Sequence, residues 1–334
     1  MTGWFFLAMA MTRRMLLLIL GLGFAVLATA AWAEQQKTIP VVGILMAATG
    51  PDDALIEALR EGLRELGYVE GKNIRFEYRG AQGQAERLPR LARELVQLKV
   101  DAILVGAGAS IRAAKQATST IPILAVVYDE DPVSSGFIES FNRPGGNITG
   151  IYQRQLELAG KRLELLKETL PDLSRVAVFW DSFGLGELAE LKRAARALGI
   201  KLEFIELRAP YDFETAFRIA KQKKAGAVIV MFSAVFYVER ARIGALGLEN
   251  ALPVMGPLRD TTQAGGFMSY GHEFRDSWFR FAYFIDRLLK GTKPAVIPVE
   301  QVATFKLVVN LRTAKALGLT VPQSILLRAD EVIK

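Results

Sequence analysis

The chain has 334 residues, 51% hydrophobic and 23% charged, enough for two domains or one large one with a sizeable core. It contains no cysteine and one histidine, His272, which excludes disulfides, thiolate chemistry and a metal cluster built on histidines. The formal charge of +7 is modest for this length and alternates in sign along the helices, which argues against nucleic acid as a partner.

Residues 1–33 read as a targeting segment. Arg13 and Arg14 precede the apolar run Met15–Leu27, and Ala31-Trp32-Ala33 supplies a small-residue cleavage site. Cleavage after Ala33 is expected to remove both arginines, lower the charge from +7 to +5, and release the rest to the periplasm with no stable membrane insertion. An uncleaved anchor is the competing reading.

Val41–Met46 has the pattern of a buried strand. Asp52–Leu66 follows as a helix with Leu55, Leu59, Leu63 and Leu66 on one face, ended by Gly67. Ile74, Phe76 and Tyr78 alternate with Arg75 and Glu77, as in a half-buried strand. Leu88, Leu91, Ala92, Leu95 and Leu98 mark the next helix, with Pro89 tolerated in its first turn. Ala102–Val105 and Pro122–Val127 are short apolar runs rich in β-branched residues. They end in the loops Gly106–Ser110 and Tyr128–Pro132, which in a parallel sheet face the ligand crevice. Arg143–Gly150 is a turn cluster leading into a brief β-like run.

The same order then repeats. Arg175–Trp180, a helix over 187–198 ended by Gly199, Leu202–Leu207, a helix over 212–223, Gly226–Val230 and Leu252–Val254 each match an element of the first half. Gly265-Gly266 before Phe267 mirrors Gly145-Gly146 before Asn147. Two similar lobes joined at 145–152 and 265–272 follow, with glycines suited to hinge motion. Phe274–Leu289 is a helical run that returns to the first lobe. Phe305–Asn310, Leu311–Leu317 and Ser324–Ile333 complete the second. The expected fold is α/β, two Rossmann-like lobes with parallel sheets joined by a multi-strand hinge. Lobe 1 takes 39–150 plus about 272–300, and lobe 2 takes 151–271 plus about 301–334.

Several long strings carry a family resemblance. Glu61–Gly108, Arg143–Gly150, Ala264–Gly271, Leu288–Gln301 and Leu307–Ile333 resemble the ABC-transporter substrate-binding family that includes tryptophan- and phenylalanine-type binding proteins. The resemblance implies a type I periplasmic binding protein fold with a ligand held between the lobes. It also implies an ABC permease and its ATPase as partners. Three loops depart from the family pattern. Ala107-Gly108-Ala109 replaces a Gly-Thr-Pro step, Asp129 and Glu130 are extra acids, and Trp180–Gly184 replaces an Asn-Pro-type loop.

The candidate ligand-binding residues lie on these loops. Ser110 stands at the start of the helix 111–117, where its hydroxyl and the free backbone N–H groups suit a carboxylate or phosphate, or simply cap the helix. Asp129 and Asp131 suit a ligand ammonium, although Asp131 before Pro132 also fits an ordinary turn. Tyr128, Trp180 and Tyr270 are flat amphipathic surfaces for stacking, with core packing the alternative for Trp180. Arg259 could clamp an anionic group. Thr49, Gly108 and Ser233 complete the set. Gly106-Ala107-Gly108 lacks the third glycine of a dinucleotide fingerprint, so no cofactor is expected, and no metal site.

An exported hydrolase would need a nucleophile and a base, yet there is one histidine and no G-x-S-x-G elbow. The expected function is therefore capture of a small amino-acid-like or carboxylate ligand by a monomeric, non-catalytic binding protein of an ABC importer. The alternatives are the hydrolase and a ligand-binding partner of a periplasmic sensor.

Overall fold

The computed structural model of the protein describes residues 39–48, 54–128, 130–182 and 186–334. The expected signal peptide lies outside the described residues.

The first half runs β1 (Val41–Met46), α1 (Ala54–Glu65), β2 (Arg75–Gly80), α2 (Leu88–Gln97), β3 (Ala102–Gly106), α3 (Gly108–Ala117), β4 (Ile123–Val127) and β5 (Ile148–Gln153). The second runs α4 (Leu158–Thr169), β6 (Arg175–Trp180), α5 (Leu188–Leu198), β7 (Lys201–Glu206), α6 (Phe213–Gln222) and β8 (Ala227–Val230). It continues through α7 (Ala234–Val238), α8 (Arg240–Glu249), β9 (Val254–Gly256), α9 (Arg259–Gln263) and β10 (Met268–Gly271). The chain closes with α10 (Phe274–Leu289), β11 (Glu300–Val302), β12 (Lys306–Asn310), α11 (Leu311–Ala316), α12 (Gln323–Leu326) and β13 (Glu331–Ile333).

Two sheets result. The first has the order β11-β5-β4-β3-β1-β2 and is parallel throughout. The second has the order β13-β12-β10-β9-β8-β6-β7, parallel except where β12 runs against β10. Within each half the strands take the same doubly wound order, second, first, third, fourth, fifth. The repeat read in the sequence is thus a repeat of topology. Such an order reverses direction beside its first strand, which opens a crevice at the strands' carboxyl ends.

Local chemistry explains the elements. The buried positions of α1 include Leu55, Leu59 and Leu63, one apolar stripe. Asp212 caps α6 by accepting from the Thr215 N–H at 2.9 Å, and Gly199 ends α5 in the left-handed region. The stripe of α1 packs on α10, whose Trp278, Phe281 and Phe284 are buried in the same cluster. Each such side chain contributes about 1.5–3 kcal/mol of apolar burial. The helices meet closely at Gly62, where a Cβ would lie 2.5 Å from the Phe279 carbonyl oxygen. α2 and α3 cover the other face of the first sheet through Leu91, Leu95 and Ile111.

The sequence reading places the first two inter-lobe crossings at 145–152 and 265–272. The structure puts them a few residues later. Ile148–Gln153 stays paired with β4 as far as Tyr152, and Met268–Gly271 stays paired with β12. The chain changes sheet after each strand, and a third time between β11 and β12. The glycine of the second crossing answers to crowding: a Cβ on Gly271 would lie 1.9 Å from the Pro257 carbonyl oxygen. The crossings are tied to their surroundings. His272 Nδ1 lies 2.9 Å from the Thr304 carbonyl oxygen, and Gln153 Nε2 donates to Ser277 Oγ at 2.8 Å. Burial first of all pushes the His272 imidazole down to about 4, so it is neutral at physiological pH.

Candidate functional site

The carboxyl ends of β1, β3 and β4 face the segment that follows β8. Between them lies a cavity of about 40 Å³, room for no more than a few waters. Met46, Gly106, Val126 and Tyr128 line it from the first sheet, and Phe232 and Tyr237 from the second half. Phe274 and Trp278 enter from the first turns of α10. The aromatic rings touch. Phe232 stacks on Phe274 with centroids 4.7 Å apart and 19° between planes, and meets Tyr128 edge-on at 4.1 Å. These are the arrangements that ring quadrupoles favour.

A polar wall flanks this cavity. Ser233 caps α7 by accepting from the Val235 N–H at 3.1 Å, and donates to Asp181 Oδ2 at 2.5 Å. Tyr211 donates to the same oxygen at 3.2 Å. Asp181 is 1% exposed and follows β6 directly. Burial, then the neighbouring Asp181 charge, holds the Tyr211 hydroxyl far above the ordinary phenol range. Tyr211 also packs on Gly83 beside the first sheet, so it lies at the seam between the two halves.

Across the cavity, α3 begins next to Gly106. Ser110 in its first turn is fully buried, and its Oγ has no hydrogen-bond partner among the described residues. A buried hydroxyl without a partner carries a desolvation cost. Glu130 lies against Gly108, where a Cβ would overlap its carboxylate, and pairs with Arg112 and Ser135. The first turn of α3 thus already faces one carboxylate, itself neutralised by Arg112.

Behind the wall is a buried ionic network. Arg162 of α4 is 0% exposed. It donates to Glu187 Oε2 at 2.8 Å, to the Tyr270 carbonyl at 2.8 Å, and to Gln155 Oε1. Burial pushes the Glu187 carboxyl up, while Arg162 and a backbone hydrogen bond from Phe232 pull it back. The network therefore fixes the backbone that presents Phe232.

The candidates from the sequence scatter around this geometry. Tyr128 forms part of the cavity wall, and Ser233, Gly108 and Ser110 flank it. Asp131 accepts from the backbone N–H groups of Val133 and Ser134 at 3.1 and 2.7 Å, capping its own turn. Trp180 is half-buried against the core of the second sheet. Tyr270 packs near Phe305 at 5.9 Å. Arg259 forks onto Glu331 of β13 with both oxygens engaged. Thr49 and Asp129 lie outside the described residues. Sequence reasoning did not single out Asp181, Phe232, Tyr237, Phe274 and Trp278. A signal existed. Phe232 and Asp181 stand just beyond strand ends, and Phe274 and Trp278 are spaced i, i+4 at the head of the returning helix.

Among the described residues no group of three or more His, Asp or Glu could hold a metal, and no helix is long and apolar enough to cross a membrane.

Comparison with known proteins bears on the family and the fold. A family model for ABC transporter substrate binding proteins matches residues 24–333. A tyrosine-binding protein of Clostridioides difficile is 22% identical over 291 residues, which covers 86% of this chain and 82% of that protein. A conserved domain protein of Vibrio cholerae superposes with a TM-score of 0.78 at 26% identity, over 88% of this chain and 100% of that one. An ABC domain from Streptococcus pneumonia, solved in complex with L-Trp, superposes with a TM-score of 0.78 at 22% identity, over 89% and 100%. The fold is the two-lobed type I periplasmic binding arrangement that the resemblance implied.

Proposed function

Because the chain belongs to the ABC transporter substrate binding protein family, we propose that it captures a small amino-acid-like zwitterion between its lobes and presents it to the permease of an importer. The observation that carries this reading is the aromatic cavity at the facing strand ends, flanked by the buried Asp181 carboxylate and by the Ser110 hydroxyl, which has no partner among the described residues. Asp181 suits the ammonium. Ser110 and the backbone N–H groups of α3 suit the carboxylate. The rings between them suit an apolar side chain. Relatives include one named for tyrosine and one solved with L-Trp, which fits this ligand class. Binding without chemistry is the role assigned.

The lobes divide close to residues 150, 272 and 300, and closure about the crossings encloses the ligand. A ligand that touches both lobes shifts such an equilibrium by its differential affinity. Calorimetry with a panel of L-amino acids is expected to find at least one binder. X-ray scattering at saturation is expected to give a smaller radius of gyration than the free protein. A panel without any binder would refute the ligand class, and an unchanged radius would refute closure.

Export follows from the leader, and the working location is the periplasm. The intact mass of the exported protein should correspond to a chain starting at Glu34. A mass that retains residues ahead of Glu34 would overturn this.

A further inference from the structure

We propose that Phe232 is an internal plug of the ligand's ring subsite, and that a ring bearing an acceptor oxygen displaces it. The proposal rests on the reading of the cleft as an amino-acid site and concerns its selectivity.

Three observations converge. First, Phe232 comes from the second half of the chain, yet its side chain is buried in the cluster built by the first sheet and α10. It sits stacked on Phe274 and edge-on to Tyr128, the pose a bound aromatic ring would take. Second, with Phe232 seated, only about 40 Å³ is left, too little for a phenol or indole. A ligand ring and Phe232 therefore compete for one place. Third, the plug fits imperfectly. Trp278 lines the same cavity at 2% exposure, and its Nε1 has no hydrogen-bond partner among the described residues. A phenyl ring offers only its weak π face and no oxygen acceptor, so the buried indole N–H lacks a full hydrogen bond from Phe232. A phenolic oxygen could accept from it. The subsite is thus built to prefer a hydroxylated ring over a plain one, and over its own plug.

The geometry allows the exchange. Phe232 lies between β8 and the five-residue helix α7, a connecting segment rather than a sheet strand. Its backbone is held by Glu187, so swinging the side chain out need not move the chain.

The test is calorimetry of L-tyrosine and L-phenylalanine on the parent, Phe232→Ala, Phe232→Leu and Trp278→Phe. Each variant's thermal midpoint is measured to confirm folding. The parent is expected to bind tyrosine about tenfold more tightly than phenylalanine. Phe232→Ala should bind both about ten- to a hundredfold more tightly, because no buried ring must be expelled. Phe232→Leu should fall between, which covers the case in which the alanine variant is unstable. Trp278→Phe should erase the tyrosine preference. If the parent binds either ligand and both Phe232 variants bind it more weakly, Phe232 is a wall that stacks on the ligand and the plug is disproved, while the reading of the cleft stands. If no protein binds any zwitterion, that reading fails and this inference falls with it.

Discussion

Replacing Arg162 by methionine is expected to destabilise the protein by about 3–5 kcal/mol, the usual result of stripping one partner from a buried ion pair. Arg162 and Glu187 have side-chain exposures of 0% and 2%. The guanidinium also satisfies the Tyr270 carbonyl and Gln155, so methionine would strand three acceptors at once. The loss should depend on pH in a defined direction. Burial already raises the Glu187 carboxyl, and without Arg162 it would rise further. A carboxyl whose folded-state pKa lies above its unfolded value favours the fold at low pH and weakens it as pH climbs through that window. The deficit should therefore be smallest at about pH 5 and grow toward about pH 7.5. Urea denaturation at both pH values reads this out. The double variant Arg162→Met with Glu187→Leu should recover most of the loss. A single variant that unfolds at the parent's midpoint would show that the pair contributes nothing.

The largest effect on binding is expected at Asp181. Removing a carboxylate that faces a buried ammonium costs about 2–5 kcal/mol, mostly by leaving the ligand's charge unpaired. Asp181→Asn isolates the charge, since an amide oxygen can still accept from Ser233 and Tyr211. Calorimetry with the best zwitterion should show both Asp181→Ala and Asp181→Asn much weaker than the parent. Asp131→Ala should change little if Asp131 serves only its turn. Were Asp181→Asn to bind like the parent, the ammonium would have to sit elsewhere, and Asp131 would be the next residue to test.

The architecture was legible because strands and amphipathic helices announce themselves by period. Val41–Met46 and Phe274–Leu289 match β1 and α10 residue for residue, and the internal repeat is a repeat of strand order. Other elements were less visible. α4 places Arg162 among its buried residues, which blurs its apolar stripe. α8 buries Gly244 and Gly247 among larger neighbours, and the short strands β11 and β13 have no fully buried position. The site was partly legible. Loops at strand ends could be located, and Tyr128, Ser110 and Ser233 lie there. Which ring crosses to the other lobe depends on how two halves meet, and Phe232 carries no local mark of it. Arg259 illustrates the converse: its partner Glu331 is 72 residues away in sequence, and only the fold brings them together.

The return of α10 and β11 to the first sheet bears on how the chain becomes a protein. α10 covers a face of a sheet whose first five strands were made more than a hundred residues earlier, and β11 adds its sixth strand. Until α10 has been synthesised as far as Leu289, Leu55, Leu59 and Leu63 lack the helix that covers them. The second sheet waits still longer, for β13 at Glu331–Ile333. Neither half can finish alone, and the decisive contacts join distant parts of the chain, which makes collapse to the native state slow. Until its last strands are made, a nascent chain of this design lacks two complete sheets. That is the condition in which a polypeptide can still be threaded through a narrow channel.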